Sequence, residues 1–315
     1  MNTEEKIQEL RHRIELELAP LINRNYRYLM MCEHTNIGDT LIMEGEFQFL
    51  KTIRRYKCKE FTTMNSFESR CPLISSDDLL IMKGSGSFGD VWPTAPNFWR
   101  FVLKQYPDNP ILFMPQTIYF SDVKNLEEMA ALINEHKGVV TLCVRDEESY
   151  HIAKKYFRCD LHLVPDMAFY MDCHRMAEKA KKYNQSDKKL LVMRNDKEQK
   201  CSKLIEDLRN SNVHCEDWPS IGLFGRIERM KRKLLKKKMY TWYDLYIRFV
   251  YRPYIIRHGL KFMASYSDIY ATRMHAGIFA MLLGKRSHFL DNSYGKLSRV
   301  FNTWLKDVDN VSLDE

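Results

Sequence analysis

Tyr266–Lys285 (YSDIYATRMHAGIFAMLLGK) sets Arg273 and His275 two positions apart, with Met274 between them, after a short apolar run ending near Ala271. Thr272 is a fitting N-cap, so Arg273, Met274 and His275 are expected in the first turn of a helix. Ile278, Phe279, Met281 and Leu282 would give that helix its buried face, and Gly284 its end. The open backbone N–H groups of such a turn favour an anion. Arg273 adds a forked donor, and His275 adds a second donor able to exchange protons. The competing reading is an exposed arginine and a structural histidine at a helix start. A second candidate is Arg145 in VTLCVRDEESY, placed directly after an apolar run, with Asp146 or Ser149 able to cap the next helix. Arginine suits bidentate recognition of carboxylate or phosphate, and the structural alternative is an ion pair with Asp146 or Glu148. A third is HTNIGDTLIMEG, where Gly38 allows a tight loop and Asp39 is expected to cap a helix starting near Thr40.

Other chemistries are excluded by spacing. GSGSFGD (Gly84–Asp90) lacks G-x-G-x-x-G opening directly into a helix, because Trp92, Pro93 and Pro96 intervene, and it is not a P-loop. There is no G-x-S-x-G elbow and no H-E-x-x-H. The eight cysteines form no C-x-x-C pair, so neither a disulfide framework nor structural zinc is expected. No metal-ligand constellation stands out, and no cofactor is expected.

The elements that must hold these residues alternate. Strands are expected at 27–32, 79–82, 111–114, 139–144 and 161–164, and after a polar stretch at 189–193, 213–217, 267–271 and 286–290. Helical patterns lie at 40–56, 122–136, 147–157, 198–209 and 295–305. Such alternation predicts parallel sheets covered on both faces, in an α/β fold of two Rossmann-like doubly wound domains facing a cleft. The expected domains are 1–172, and 173–315 with an insertion at 222–260 and a C-terminal helix packing back on the first. Ligands in such sheets sit beyond the carboxyl ends of the strands, where Arg145 and Arg273 fall.

The chain has 315 residues, and 49 Lys and Arg against 41 Asp and Glu leave a net charge of +8, which suggests an anionic partner. Eight of the basic residues crowd between Arg226 and Lys238, followed by an aromatic run from Trp242 to Tyr254. That composition fits peripheral contact with an anionic membrane, or a solvated helix face before a core helix. No nucleic-acid fold signature accompanies it, and nucleic acid is not expected. No apolar run reaches the ~18–20 residues of a membrane span, and the charged N-terminus lacks the apolar core of a signal peptide. A cytoplasmic protein is expected, with a peripheral position at the inner membrane face.

In their order, NIGDTLIMEG, IMKGSGSFGD, FMPQTIYF, VTLCVRDEESY, LVPDMAFYM, DIYATRMHAGIFAMLLGK and FLDNSYGK resemble the polysaccharide pyruvyl transferase family. The resemblance implies the two-domain fold of B-type glycosyltransferases, with the acceptor on the N-terminal side and the donor on the C-terminal side. It also implies transfer of the enolpyruvyl carbons of phosphoenolpyruvate to a saccharide, here expected on a lipid carrier, as a pyruvate ketal. Arg145 and Arg273 would clamp the donor, His275 and Lys296 would contact it, and Asn36, Gly38, Met274 and Gln116 would line the site. His275 is the first candidate for proton transfer; Asp39 is a lesser one, and so is Asp166, which is read mainly as structural. A sugar-nucleotide glycosyltransferase is the rival enzyme, and a non-catalytic membrane or glycan-binding protein the rival from another class.

Overall fold

A computed structural model describes residues 1–183, 186–200, 202–219 and 225–314. Cys201 and the first residues of the 222–260 segment lie outside the described residues, as does part of the polar stretch before Lys189. Among the described residues, two parallel sheets carry the chain. The first contains β1 (Tyr26–Leu29), β2 (Cys58–Phe61), β3 (Leu79–Met82), β4 (Ser85–Gly89), β5 (Ile111–Tyr119), β6 (Val140–Val144) and β7 (Asp160–Leu163). Its order is β2-β1-β3-β5-β6-β7, with β4 also on β5. The second contains β8 (Lys189–Val192), β9 (His214–Glu216), β10 (Asp268–Ala271), β11 (Arg286–Leu290) and β12 (Val311–Asp314), in the order β12-β11-β10-β8-β9.

Each sheet reverses direction once, β1 lying between β2 and β3 and β8 between β9 and β10. These are the doubly wound switch points at which a crevice opens beyond the strand ends. β3 (LLIM) and β6 (VTLCV) are buried at every position, as central strands covered on both faces must be. One continuous core unites inner residues of both sheets, among them Tyr28, Ile81 and Leu112 with Leu190, Ile269 and Phe289. The helices Ile37–Leu50 and Met274–Leu282 pack on each other inside it. Those two helices bring the crevices of the two sheets together.

Several expectations shift in detail. The 40–56 helix runs Ile37–Leu50, and its N-cap is Asn36, whose side chain accepts from the Gly38 N–H; Asp39 sits in the first turn instead of capping. The other helix starts at Met274, with Arg273 as N-cap and no side-chain cap. Thr272 instead accepts from the Arg194 N–H and donates to the Val192 carbonyl, tying β10 to β8. The glycine-rich loop is largely strand β4, and β2 and β12 were too short and polar to stand out. The charged N-terminus folds as an amphipathic helix, Thr3–Leu18, burying Ile7, Leu10, Ile14 and Leu18. The helix Lys296–Trp304 reaches back to the first sheet, where Trp304 Nε1 donates to the Arg145 carbonyl at 2.8 Å.

Candidate active site

A cavity of about 510 Å³ lies where the strand ends of both sheets meet. Most of the wall follows strands: His34, Asn36 and Asp39 after β1 and Arg194, Asp196 and Glu198 after β8, with Gly86 inside β4. Asp217 and Trp218 follow β9, Arg273, Met274 and His275 follow β10, and Lys296 follows β11.

At one end stands a buried chain of three side chains. Arg145, fully buried, donates from Nε to Thr117 Oγ1 at 2.7 Å and from Nη1 to Asp166 Oδ2. Asp166 also accepts from the Ala168 N–H at 2.8 Å and faces His275 Nε2 at 3.2 Å. Burial opposes ionisation of Asp166, but His275 and Arg145 outweigh it and hold its carboxyl well below the usual range. Burial pushes the His275 imidazole down, against the pull of Asp166. A neutral ring facing a carboxylate must carry its proton on Nε2, leaving Nδ1 as an acceptor. Gly38 keeps that edge uncovered, since a Cβ at this position would lie 2.9 Å from Nδ1.

Beside this chain two cations converge on bare backbone. Arg145 Nη2 is buried and has no hydrogen-bond partner among the described residues. Lys296 Nζ lies 3.4 Å from the Gly86 carbonyl. A Cβ at Gly86 would fall 2.6 Å from Arg145 Nη2 and closer still to Lys296 Nζ, so only glycine lets both cationic groups pack against this backbone. Burial, with Arg145 and Arg194 nearby, lowers the Lys296 ammonium to about 8 despite Glu198. Asp39 is held at about 2: burial raises it, but Lys83, His34, His275 and Lys296 prevail. Lys296 lines the cavity with the unpartnered Arg145 nitrogen buried behind it, and two such cations side by side attract an anion.

The opposite end sets three carboxylates against two guanidinium groups. Arg273 gives Nε and Nη2 to Asp217 at 2.5 and 2.7 Å, and Nη2 also to Asp196 at 3.1 Å. Arg194 pairs with Asp196 at 2.8 Å and with Glu198 at 2.6 Å. Trp92 donates to Glu198 Oε1 at 2.7 Å, and Trp218 lines the far wall. Carboxylates beside indole rings suit hydroxyl-rich, partly apolar ligands.

The structure thus brings Arg145, His275, Lys296, Gly38, Asn36, Asp39, Met274 and Arg273 to one place. Two roles change. Arg273 is not a free clamp, because carboxylates from two other strand ends occupy its fork. Gln116 does not reach a ligand: it is fully buried, donates to the Lys83 and Met114 carbonyls and accepts from Ser85 Oγ, so it supports the β4 loop from behind. Arg145 pairs with Asp166 and not with Asp146 or Glu148, and Asp146 caps the next helix through the Ser149 N–H. Sequence reading missed Lys83, Arg194, Asp196, Glu198, Asp217 and Trp218. Lys83, Arg194 and Asp217 each follow a strand within two residues, the signal that singled out Arg145.

Fold and site together define a parallel α/β protein with a polar cleft at two switch points, cationic at one end and acid-rich at the other. The sequence pattern of the polysaccharide pyruvyl transferase family matches residues 36–294, and the chain belongs to that family; it is a transferase. It is 28% identical over 285 residues to EpsO of Bacillus subtilis (strain 168), which carries the provisional name pyruvyl transferase; the match covers 88% of this chain and 84% of that one. It is 24% identical over 299 residues to Pyruvyl transferase 1 of Schizosaccharomyces pombe, covering 89% and 70%. The crystal structure of an uncharacterised Klebsiella pneumoniae protein shares the fold, with a TM-score of 0.61 at 18% identity over the whole of both chains.

Proposed function

We propose that the protein transfers the pyruvyl group of phosphoenolpyruvate to two hydroxyls of a saccharide, forming a cyclic ketal and releasing phosphate. The observation that carries this reading is the packing against Gly86 of Lys296 Nζ, on the cavity wall, and of the unpartnered Arg145 Nη2 behind it, beside the Arg145–Asp166–His275 chain. The phosphate and carboxylate of the donor match those cations and the uncapped turn at Met274. The saccharide lies toward Trp92, Trp218, Asp196 and Asp217, where carboxylates accept hydroxyl protons.

In this reading the Lys296 ammonium is the proton source for the donor methylene carbon, which makes C2 an oxocarbenium-like electrophile. His275 Nδ1 takes the proton of the attacking hydroxyl, and Asp166 steadies the imidazolium that forms. Phosphate leaves from C2 with its bonding electrons. The leaving phosphate takes the proton held by His275, a second hydroxyl closes on C2, and its proton restores the Lys296 ammonium. The two sheets act as two domains of the B-type glycosyltransferase arrangement, meeting near residues 172–173. The acceptor is borne on a lipid carrier and the setting is cytoplasmic.

Incubation with phosphoenolpyruvate and candidate saccharides, read by mass spectrometry, is expected to give an added pyruvate ketal with stoichiometric phosphate. Release of a nucleotide from a sugar nucleotide, with no change in phosphoenolpyruvate, would assign the cleft to glycosyl transfer instead.

A further inference from the structure

Exposed apolar side chains gather on one face that the cleft chemistry does not use. Trp242 and Phe249 are 63% and 59% exposed, and Met239, Leu245, Val250 and Tyr254 join them within sixteen residues. They project from the helix Tyr240–Tyr246, the π-helical turn Ile247–Tyr251 and the start of the helix Arg252–Met263. The inward face is fully engaged. Asp244 accepts from Thr62 Oγ1, the Thr63 N–H and Ser66 Oγ at 2.7–3.1 Å, and Tyr251 donates to Glu228 at 2.5 Å. The outward apolar groups are therefore presented by a firmly anchored unit.

The preceding helix, Arg226–Lys236, supplies the charge. Arg226, Arg229, Arg232, Lys233 and Lys236 are exposed, and Lys237 and Lys238 follow. The only acids between 226 and 254, Glu228 and Asp244, are both buried, so the exposed field is positive throughout. Farther along, Pro253 and Arg257 border a cavity of about 700 Å³ lined by Lys51, Arg175, Lys179 and Lys182 together with Glu44 and Asp172. Exposed indole and phenyl groups beside uncompensated lysines and arginines are the complement of a lipid surface carrying anionic headgroups. A two-fold pairing of this face with itself would set cation against cation.

We propose that this face docks the protein peripherally on an anionic lipid surface, with the aromatic side chains at headgroup depth and the basic helix on the phosphates. The unit is bolted to the cleft. Lys231 Nζ donates to the Glu33 carbonyl at 2.8 Å and Tyr243 to the Glu33 carboxylate at 2.5 Å, and the next residue, His34, lines the cavity. Docking thus holds the cavity mouth at a fixed place relative to the lipid.

The test is flotation of the full chain with phosphatidylglycerol–phosphatidylcholine vesicles and with phosphatidylcholine alone, without donor or acceptor, so its outcome stands apart from the pyruvyl-transfer reading. Binding is expected only with the anionic vesicles and is expected to fade with salt. Arg229→Gln combined with Arg232→Gln, Lys233→Gln and Lys236→Gln should weaken it about tenfold or more. Trp242→Ser with Phe249→Ser should weaken it similarly while circular dichroism stays unchanged, and brominated lipid should quench Trp242. Equal binding to both vesicle types, or none, overturns the proposal. So does a concentration-dependent dimer that Trp242→Ser dissolves, which would make the face a contact between copies.

Discussion

Arg145 and Arg273 look alike in the sequence: each follows a buried strand and opens toward a helix. In the folded chain Arg145 meets one carboxylate and keeps Nη2 unspent, whereas Arg273 meets Asp217 and Asp196 and gives them two of its three nitrogens. One end of the cleft therefore keeps an unpartnered guanidinium nitrogen beside Lys296, and the other has turned two guanidinium groups onto three carboxylates. A strand-end arginine becomes a binding group only after the carboxylates on neighbouring strand ends are counted. The two ends consequently suit different reactants, a small dianion or trianion at Gly86 and a polyhydroxyl compound at Trp218.

The largest effect tests the catalytic chain at the Arg145 end. His275→Ala should remain folded and lose ~10²–10⁴ in kcat, as removal of a positioned acid–base group does; near-normal turnover would take the imidazole out of the chemistry. Lys296→Met removes the proposed proton source as well as a cation, so it should cost ~10²–10⁴ in kcat and raise the donor KM about 10–100-fold, with a much smaller change in the acceptor KM. In the wild type, donor affinity should decline as pH rises through about 8, because the depressed ammonium then gives up its proton. A flat profile for Lys296→Met over that range would trace the decline to this group.

At the other end, Trp218→Ala should raise the acceptor KM by a factor of about 2–10 and leave the donor KM alone. A shift in the donor term would erase the distinction between the ends. The smallest effect lies in the packing behind Gly86. Glu46 is fully buried, bonded to Tyr28 and to the Gly84 N–H at 2.7 Å, and burial raises its carboxyl to about 8 despite Lys83. The unfolded chain ionises this group near 4.5, so its contribution to stability is greatest at low pH and fades as pH rises from there to about 8. Glu46→Gln should therefore melt a few degrees higher at pH 8 (about 2–4 °C per kcal/mol) and show a flatter pH dependence.

The strands that carry the site were legible because parallel strands buried on both faces read as unbroken apolar runs, as LLIM and VTLCV do. β2 and β12 were not, since edge strands such as CKEF alternate weakly and resemble loops. Arg145, His275 and Lys296 were found through motif and strand-end position. The second role of Asp166, which joins Arg145 to His275, was hidden because it depends on residues 21 and 109 positions away. The same holds for the grip of Asp217 on Arg273 across 56 positions. Gln116 misled because β5 is buried along nearly all its length, so the side chain is spent on the Lys83 and Met114 carbonyls and not on the cavity. Caps moved by one to three residues, since Asn, Asp and Thr near a helix start compete for the same backbone N–H groups.

The bare backbone at Gly86 also shapes how the reaction ends. In the proposed reaction Lys296 would hold the freed inorganic phosphate as it holds the intact donor, because the product keeps the charge that drew the donor in. On that proposal, discharge of the cleaved anion, and not bond making, is the expected brake on turnover. Added orthophosphate would compete with the donor for one and the same seat.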